Sequence, residues 1–285
     1  MTYNEEKSPS NPVSFSLVVP DDEEKARVLL GRIAEAGFSG FEPTLSPSSS
    51  LPSVEYPEKG AETLRKMADS LGLKITGLRG GPAFWQDNAF GSSFLEKRLE
   101  CVSLAKSAGA AARIMDVDTV LVVPGRWLGD HSYGEQWKYA LESSQRIAEV
   151  AEDLGIRFGL ENVENRFLLS PAEWRLFLDE VDSSSIRMYF DVGNVLYCRL
   201  GYPEWWLREL GRQYICRVHF KDSTENGQLV PLLEGDVNWP EVSKALTEIS
   251  YDDWIGLELD IPSNKPEIFL RNCQQAAEQI LGLKA

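Results

Sequence analysis

Four side chains in this 285-residue sequence have the types and the spacing that metal chemistry needs: Glu161, Asp191, His219 and Glu258. Each stands at or near the carboxyl end of a short apolar run (IRFGLE, IRMYFD, YICRVHF and WIGLEL), and successive members are 30, 28 and 39 residues apart. Three carboxylates and one imidazole offer hard oxygen donors and one borderline nitrogen. Such a set suits one divalent ion, Mn²⁺, Mg²⁺, Co²⁺ or Zn²⁺, and leaves positions open for substrate oxygens. Taken singly, each residue has a plainer reading. A carboxylate at a strand end can cap a helix, and a histidine inside RVHF can be a hydrogen-bonded core residue. Recurrence at matching places in successive repeats favours a shared ion. His131, in GRWLGDHSYGEQW, has no such partners and reads as a surface or rim residue.

Bringing four residues so far apart to one point requires a repeating framework. Eight runs too short for helices, at 13–19, 38–44, 73–78, 118–124, 156–161, 186–191, 214–220 and 254–259, are rich in β-branched or aromatic residues and read as buried parallel strands. Amphipathic stretches separate them. Asp21 with Glu24, and Ser170-Pro171 with Glu173, are candidate helix starts, and Asn238 is a candidate cap ahead of Trp239-Pro240. Gly37, Gly72 and Gly155 each stand between a helix pattern and a strand, as helix-ending residues do. Eight such units predict an α/β fold, a single (β/α)8 TIM barrel over residues 13–285 behind a polar tail at 1–12. A doubly wound open sheet is the alternative, although no dinucleotide-type glycine loop follows the first run. The Ser/Pro-rich stretch 46–60 reads as a long loop within the domain.

Composition narrows the function. Lys and Arg number 29 against 44 Asp and Glu, a net charge of −15, which gives no footprint for nucleic acid or an anionic membrane. No apolar run approaches the roughly 20 residues that cross a bilayer, and the amino terminus lacks the pattern of a secretory signal. Cys101, Cys198, Cys216 and Cys273 show no CxxC spacing and read as reduced thiols of a cytoplasmic protein. With two histidines, any site built from three or more is excluded.

The segments FGLENVENRFLLSP, MYFDVGNVL, RVHFKD, PLLEGDVNWPEV and GLELD, in that order, resemble the xylose-isomerase-like sugar phosphate isomerase/epimerase superfamily of TIM barrels. Within it they are most similar to the ketose (tagatose/psicose) 3-epimerases and the L-xylulose-5-phosphate 3-epimerases. The resemblance implies one divalent metal ion held by Glu161, Asp191, His219 and Glu258, with Glu161 and Glu258 doubling as catalytic acid and base. It also implies epimerisation at C3 of a ketose or its phosphate through a metal-stabilised enediolate, and a homo-oligomer, dimer or tetramer. The chemistry is coherent, because a proton beside a carbonyl is poorly acidic and its removal needs an electrophile on the oxygen and a base at the carbon.

The sequence also departs from that pattern. Where free-ketose epimerases carry a histidine three residues after the aspartate ligand, Asn194 stands here, in a DVGN form that agrees instead with the phosphorylated-pentulose branch. The arginine that follows the histidine ligand in those epimerases is missing from KDSTENGQLVPLL, which leaves Lys221 as the candidate substitute against substrate oxygens. Glu42 at the end of the second run is a candidate for a sugar hydroxyl or for a structural ion pair. Arg79, with Gly80 and Gly81, forms an anion-facing or a simple tight turn, and Trp85 beside Phe84 could cover a sugar face. Asp222 is a candidate orienting carboxylate for His219 or Lys221. Of the basic residues, only Lys221, Arg79 and Arg166 are expected near the mouth, so a neutral sugar and a phosphorylated one stay equally open. Alternative functions are a metal-dependent lyase or dehydratase of the inosose type, which begins with the same proton abstraction, and a sugar-binding barrel without catalysis. The trinuclear-zinc endonucleases of the superfamily need more histidines than the chain has.

Overall fold

The computed structural model describes residues 11–46, 50–85 and 89–282, apart from the side chains of residues 82 and 83. It is a closed TIM barrel. Nine parallel strands, β1 (Val13–Leu17), β2 (Gly40–Pro43), β3 (Lys74–Ile75), β4 (Leu78–Arg79), β5 (Thr119–Val122), β6 (Arg157–Glu161), β7 (Ile186–Asp191), β8 (Ile215–Phe220) and β11 (Ile255–Glu258), pair in the order β3-β2-β1-β11-β8-β7-β6-β5-β4. The third run of the sequence supplies two of these strands. β3 pairs with β2 and β4 with β5, and a parallel bridge between Thr44 and Arg79 joins the two ends of the sheet. The split falls at Gly77, whose bare Cα faces the Glu42 carboxylate, where a Cβ would collide with it.

Strand periodicity sorts the side chains. Phe15, Phe41, Phe158, Phe190 and Phe220 point outward into the apolar layer under the helices. Their alternating neighbours face the barrel interior, which is polar at both ends. Ser16, Glu42, Glu161, Asp191, His219 and Glu258 gather at the carboxyl end of the strands, and Arg217 with Asp118 and Asp253 at the other end. The outer ring is built from α1 (Glu23–Glu35), α2 (Pro57–Leu71), α4 (Leu95–Ile114), α5 (Tyr133–Leu154), α6 (Pro171–Val181), α8 (Pro203–Leu210), α9 (Trp239–Glu248) and α10 (Pro266–Gly282). The short helices α3 (Gly81–Trp85) and α7 (Val192–Tyr197), with the two-strand ribbon β9 (Asp222–Ser223) and β10 (Leu229–Val230), sit in the loops of the mouth.

Local signals mostly land where the residues suggest. Gly72 and Gly155 close α2 and α5 in the left-handed region, Ser170 caps α6 and Asn238 caps α9. The cap of α1 is Asp22, one residue beyond the expected Asp21, because its carboxylate reaches the Lys25 amide at 3.0 Å. The loop expected over 46–60 ends early, at Pro57, where α2 begins; residues 47–49 lie outside the described residues. So do residues 1–10 of the expected tail, whereas Asn11 is buried and its side-chain amide donates to the Tyr251 and Asp253 carbonyls. All four cysteines are free thiols, and among the described residues no helix is long and apolar enough to cross a membrane.

Candidate functional site

Asp191 ends β7 and begins α7, so the helix-cap reading of a strand-end carboxylate holds for one of its oxygens and leaves the other for the mouth. Its Oδ1 accepts from the Asn194 amide at 2.7 Å as a helix cap. Its Oδ2 is buried, turns into the barrel mouth and has no hydrogen-bonding partner. Asn162, one residue after Glu161, fixes the backbone of Asp191 from both sides. It accepts from the Asp191 N–H at 2.8 Å and donates to the Asp191 carbonyl at 2.9 Å. Tying β6 to β7 in this way sets Glu161 beside Asp191.

His219 is fully buried on β8, its ring filling space left by Gly256 on the neighbouring β11. A Cβ at Gly256 would stand 2.7 Å from the imidazole Cδ2. Nε2 faces Glu42 Oε2 at 2.8 Å, so in the neutral tautomer Nε2–H donates to that carboxylate. Nδ1 is left with its lone pair toward the mouth, buried and without a hydrogen bond, 3.9 Å from Glu161 Oε1 and 3.7 Å from Glu258 Oε2. One ligating atom each from Glu161, Asp191, His219 and Glu258 falls within 4.8 Å of all the others. Orphaned buried atoms converging with that donor chemistry fit one divalent cation.

Glu42 is fully buried beneath the cluster, not on its open side. Beyond His219 it accepts from the Ser16 hydroxyl, and from the Tyr189 hydroxyl at 2.5 Å. Its burial opposes the charged form, but His219, Ser16 and Tyr189 together hold the carboxyl below its usual range. The arrangement is a carboxylate–histidine pair of the kind that fixes a metal-ligating imidazole. Sequence reading missed Ser16 and Tyr189, yet period two could have found Tyr189, which is two residues before Asp191 and so on the same face of β7.

Two cations pin Glu258. Arg79 pairs with its Oε1 and also donates from Nε to Thr44 at 3.0 Å. Lys221 Nζ is 2.6 Å from Oε2, an ion pair whose alignment falls short of a hydrogen bond. The same ammonium is 3.3 Å from Asp191 Oδ2 and 3.4 Å from Asn194 Oδ1. Burial would raise the Glu258 carboxyl, but Lys221, Arg79 and His219 carry it far below the usual carboxylate range. For Glu161, burial and then the repulsion of Glu258 push the carboxyl up to about 7. Burial, reinforced by Glu258, also raises Asp191. His219 is driven down by burial but further up by Glu42, Glu161 and Glu258, to about 10. Crowded negative charge of this kind is what a divalent ion relieves.

The remaining candidates are placed as follows. Asn194 is buried between ligands, its amide donating to the Asn162 carbonyl at 2.9 Å and standing 3.5 Å from Glu161 Oε1. Trp85 ends α3 with the Arg126 guanidinium 5.5 Å from its ring centre. The Gly80 N–H of the expected anion-facing turn donates instead to the Leu121 carbonyl at 2.7 Å. Asp222 does not touch His219 or Lys221. Its two oxygens gather the amides of Ser223, Leu233 and Gly235 and the Trp239 indole, which shapes the 223–239 loop. His131 lies in the β5–α5 loop with Asp130 and Gln136, and Arg166 is exposed in the β6–α6 loop. A cavity of about 770 Å³ opens beside the cluster, with Ser16, Arg79, Lys221 and Glu258 at one end and Leu29, Leu229, Ile261 and Phe269 among its apolar walls.

Comparison with known proteins agrees with this fold. An uncharacterised protein of Methanocaldococcus jannaschii, MJ1311, is 30% identical over 168 residues, and the match spans 56% of each chain, about half the length of that relative. Among solved structures, a D-tagatose 3-epimerase-like protein superposes with a TM-score of 0.77 at 23% identity, covering 95% of this chain and 98% of the other. D-Psicose 3-epimerase of Clostridium cellulolyticum H10, solved with D-tagatose, gives 0.77 at 19% identity, covering 96% and 100%. The family model described as xylose isomerase-like TIM barrel matches residues 30–279, and the chain belongs to that family.

Proposed function

We propose that the protein is a divalent-metal-dependent isomerase acting on a small keto sugar, and that it epimerises the carbon beside the carbonyl. The observation that carries this reading is the convergence of Glu161, Asp191, His219 and Glu258, their ligating atoms within 4.8 Å of one another, with Glu258 also lining a cavity. A divalent ion held by these four residues would supply Lewis-acid stabilisation of the negative charge that develops on the sugar oxygens.

The chain's own groups do the rest. Inversion needs a base on one face of the carbon and an acid on the other. Glu161 on β6 and Glu258 on β11 approach from opposite sides of the cluster, with β7 and β8 between them. Asn162 and Asn194 hold the Glu161–Asp191 side rigid, while Arg79 and Lys221 hold Glu258. The buried position of the cluster keeps bulk water from the transferred proton.

The substrate reading favours a neutral sugar over a phosphate. Among the described residues, the cations lining the cavity are Arg32, Arg79 and Lys221, and each is paired with a carboxylate, Arg32 with Glu267 at 2.8 Å. A phosphate dianion would meet Arg32 and Arg79 already paired there, together with Asp260. The superposed tagatose- and psicose-type enzymes support the same class.

The test is deuterium exchange. Incubated in D₂O with Mn²⁺ and a panel of free ketoses and ketose phosphates, the protein should place deuterium beside the carbonyl of a free ketose. Glu161→Gln and Glu258→Gln should each lose at least about 10³-fold of that exchange. Absence of exchange with every member of the panel would overturn the reading.

A further inference from the structure

Lys221 is a feature of the mouth that metal ligation does not explain. Its ammonium does not face outward from the cluster. It contacts two of the four ligands on the atoms an ion would need, Glu258 Oε2 at 2.6 Å and Asp191 Oδ2 at 3.3 Å. The backbone leaves it little choice of origin. Lys221 is the single residue between β8 and β9, and Gly193 on α7 packs so closely on the Lys221 carbonyl that any Cβ there would overlap it.

Charge counting gives the placement meaning. With an ion bound, which would keep Glu42, Glu161, Asp191 and Glu258 ionised and His219 neutral, the four negative charges meet the two positive ones of Arg79 and Lys221. The group then sums to −2, the complement of one divalent ion. Among the ligand carboxylates Arg79 pairs with Glu258, through Oε1, and it is tied to Thr44 as well. Of these two cations it is Lys221 that bridges two ligands, and it lines the cavity beside them, so its flexible stem has somewhere to go.

We propose that Lys221 is a built-in counter-ion for the metal site: it holds the Asp191 and Glu258 carboxylates together before the ion arrives and is displaced toward the cavity when the ion binds. This rests on the reading of the four residues as metal ligands. Lys221 thus preserves a compact, folded site without metal and weakens metal affinity in exchange. After displacement, its ammonium is delivered to the space where substrate oxygens lie, next to Asn194 Oδ1.

The test uses Lys221→Met and, as a second variant, Lys221→Gln, with Mn²⁺ as the probe in titration calorimetry and thermal melts of chelator-treated and Mn²⁺-saturated protein. The expected result is a crossing. Without metal the variants melt below the wild type, because two buried carboxylates lose their cation. With saturating Mn²⁺ the order closes or reverses, and the variants bind Mn²⁺ at least about ten-fold more tightly. A lysine with only a structural role would lower the melting temperature in both states and leave Mn²⁺ affinity unchanged, which would overturn the proposal. Weaker Mn²⁺ binding by both variants would overturn it as well. If wild type and variants all fail to bind Mn²⁺, the metal-site reading itself falls and takes this proposal with it. That result is distinct from one in which the wild type binds and the variants bind no better.

Discussion

At the scale of single residues, the site depends on which atoms are already spent. Asp191 gives one oxygen to the Asn194 amide and keeps the other for the mouth. His219 gives Nε2–H to Glu42 and keeps Nδ1. Glu42 is therefore a positioning residue: it accepts from His219 and Ser16 through one oxygen and from Tyr189 through the other. An amide at this position has only one accepting oxygen, so at least one of these three donors would be stranded in a buried place. Glu42→Gln is expected to lower divalent-metal affinity by about 10–100-fold with the fold intact, as read by Mn²⁺ titration alongside circular dichroism. Unchanged Mn²⁺ affinity would refute the role.

At the scale of elements, the strands supply ligands while glycines make room for them. β11 carries Glu258 two residues after Gly256, and the absence of a side chain there lets the His219 ring of β8 pack against it. Gly256→Ala would drive a methyl group into the imidazole, with Nε2 at 3.0 Å and Cδ2 at 2.7 Å from the new atom. β11 is fixed between β1 and β8, so the ring has to yield. The expected outcome is loss of metal binding by at least about ten-fold, since a misplaced ligand loses its coordination geometry, and a stability loss of about 1–3 kcal/mol from overpacking. Metal titration and urea denaturation of the variant read the two effects separately. Wild-type metal affinity in this variant would show that the His219 ring does not depend on Gly256.

At the scale of the whole molecule, closure of the barrel depends on the end opposite the site. Arg217 on β8 is buried between Asp118, just before β5, and Asp253, just before β11; its Nη2 lies 2.9 Å from Asp118 Oδ1. Asp118 also takes Arg157 of β6. One ionic knot thus joins strands from across the sheet. Burial tends to raise the Asp118 carboxyl, but Arg217 and Arg157 outweigh it, and the folded value lies below 3.8. A carboxyl depressed by folding stabilises the native state above its unfolded value and loses that contribution as pH falls through the folded one. Asp118→Asn should cost about 0.5–1 kcal/mol at pH 7, because the half-exposed carboxylate is screened by solvent. The gap to wild type should then narrow as pH drops below about 4, in urea denaturation followed from pH 7 to pH 3. A gap that widened on acidification would contradict the assignment.

Much of this was written in the chain because a TIM barrel is periodic. Strand-end carboxylates one βα unit apart must meet at one mouth once the sheet closes, so Glu161, Asp191, His219 and Glu258 were legible as a set before any coordinate. Helix ends at Gly72, Gly155, Ser170 and Asn238 were legible too, because caps are local. What each polar group faces was not, since that depends on strands distant in sequence. Glu42 lies 177 residues from His219, and only the closed sheet puts it beneath the imidazole. Arg79 meets Glu258 across 179 residues and is used there. Asp222 turns to its own loop, and Lys221 turns inward to the ligands. The sequence by itself determined the repeat, the barrel and which strand-end side chains meet, because those follow from period and residue type. Tertiary structure alone decided which charges neutralise which, because buried partners are chosen by distance and desolvation, and neither is encoded along the chain.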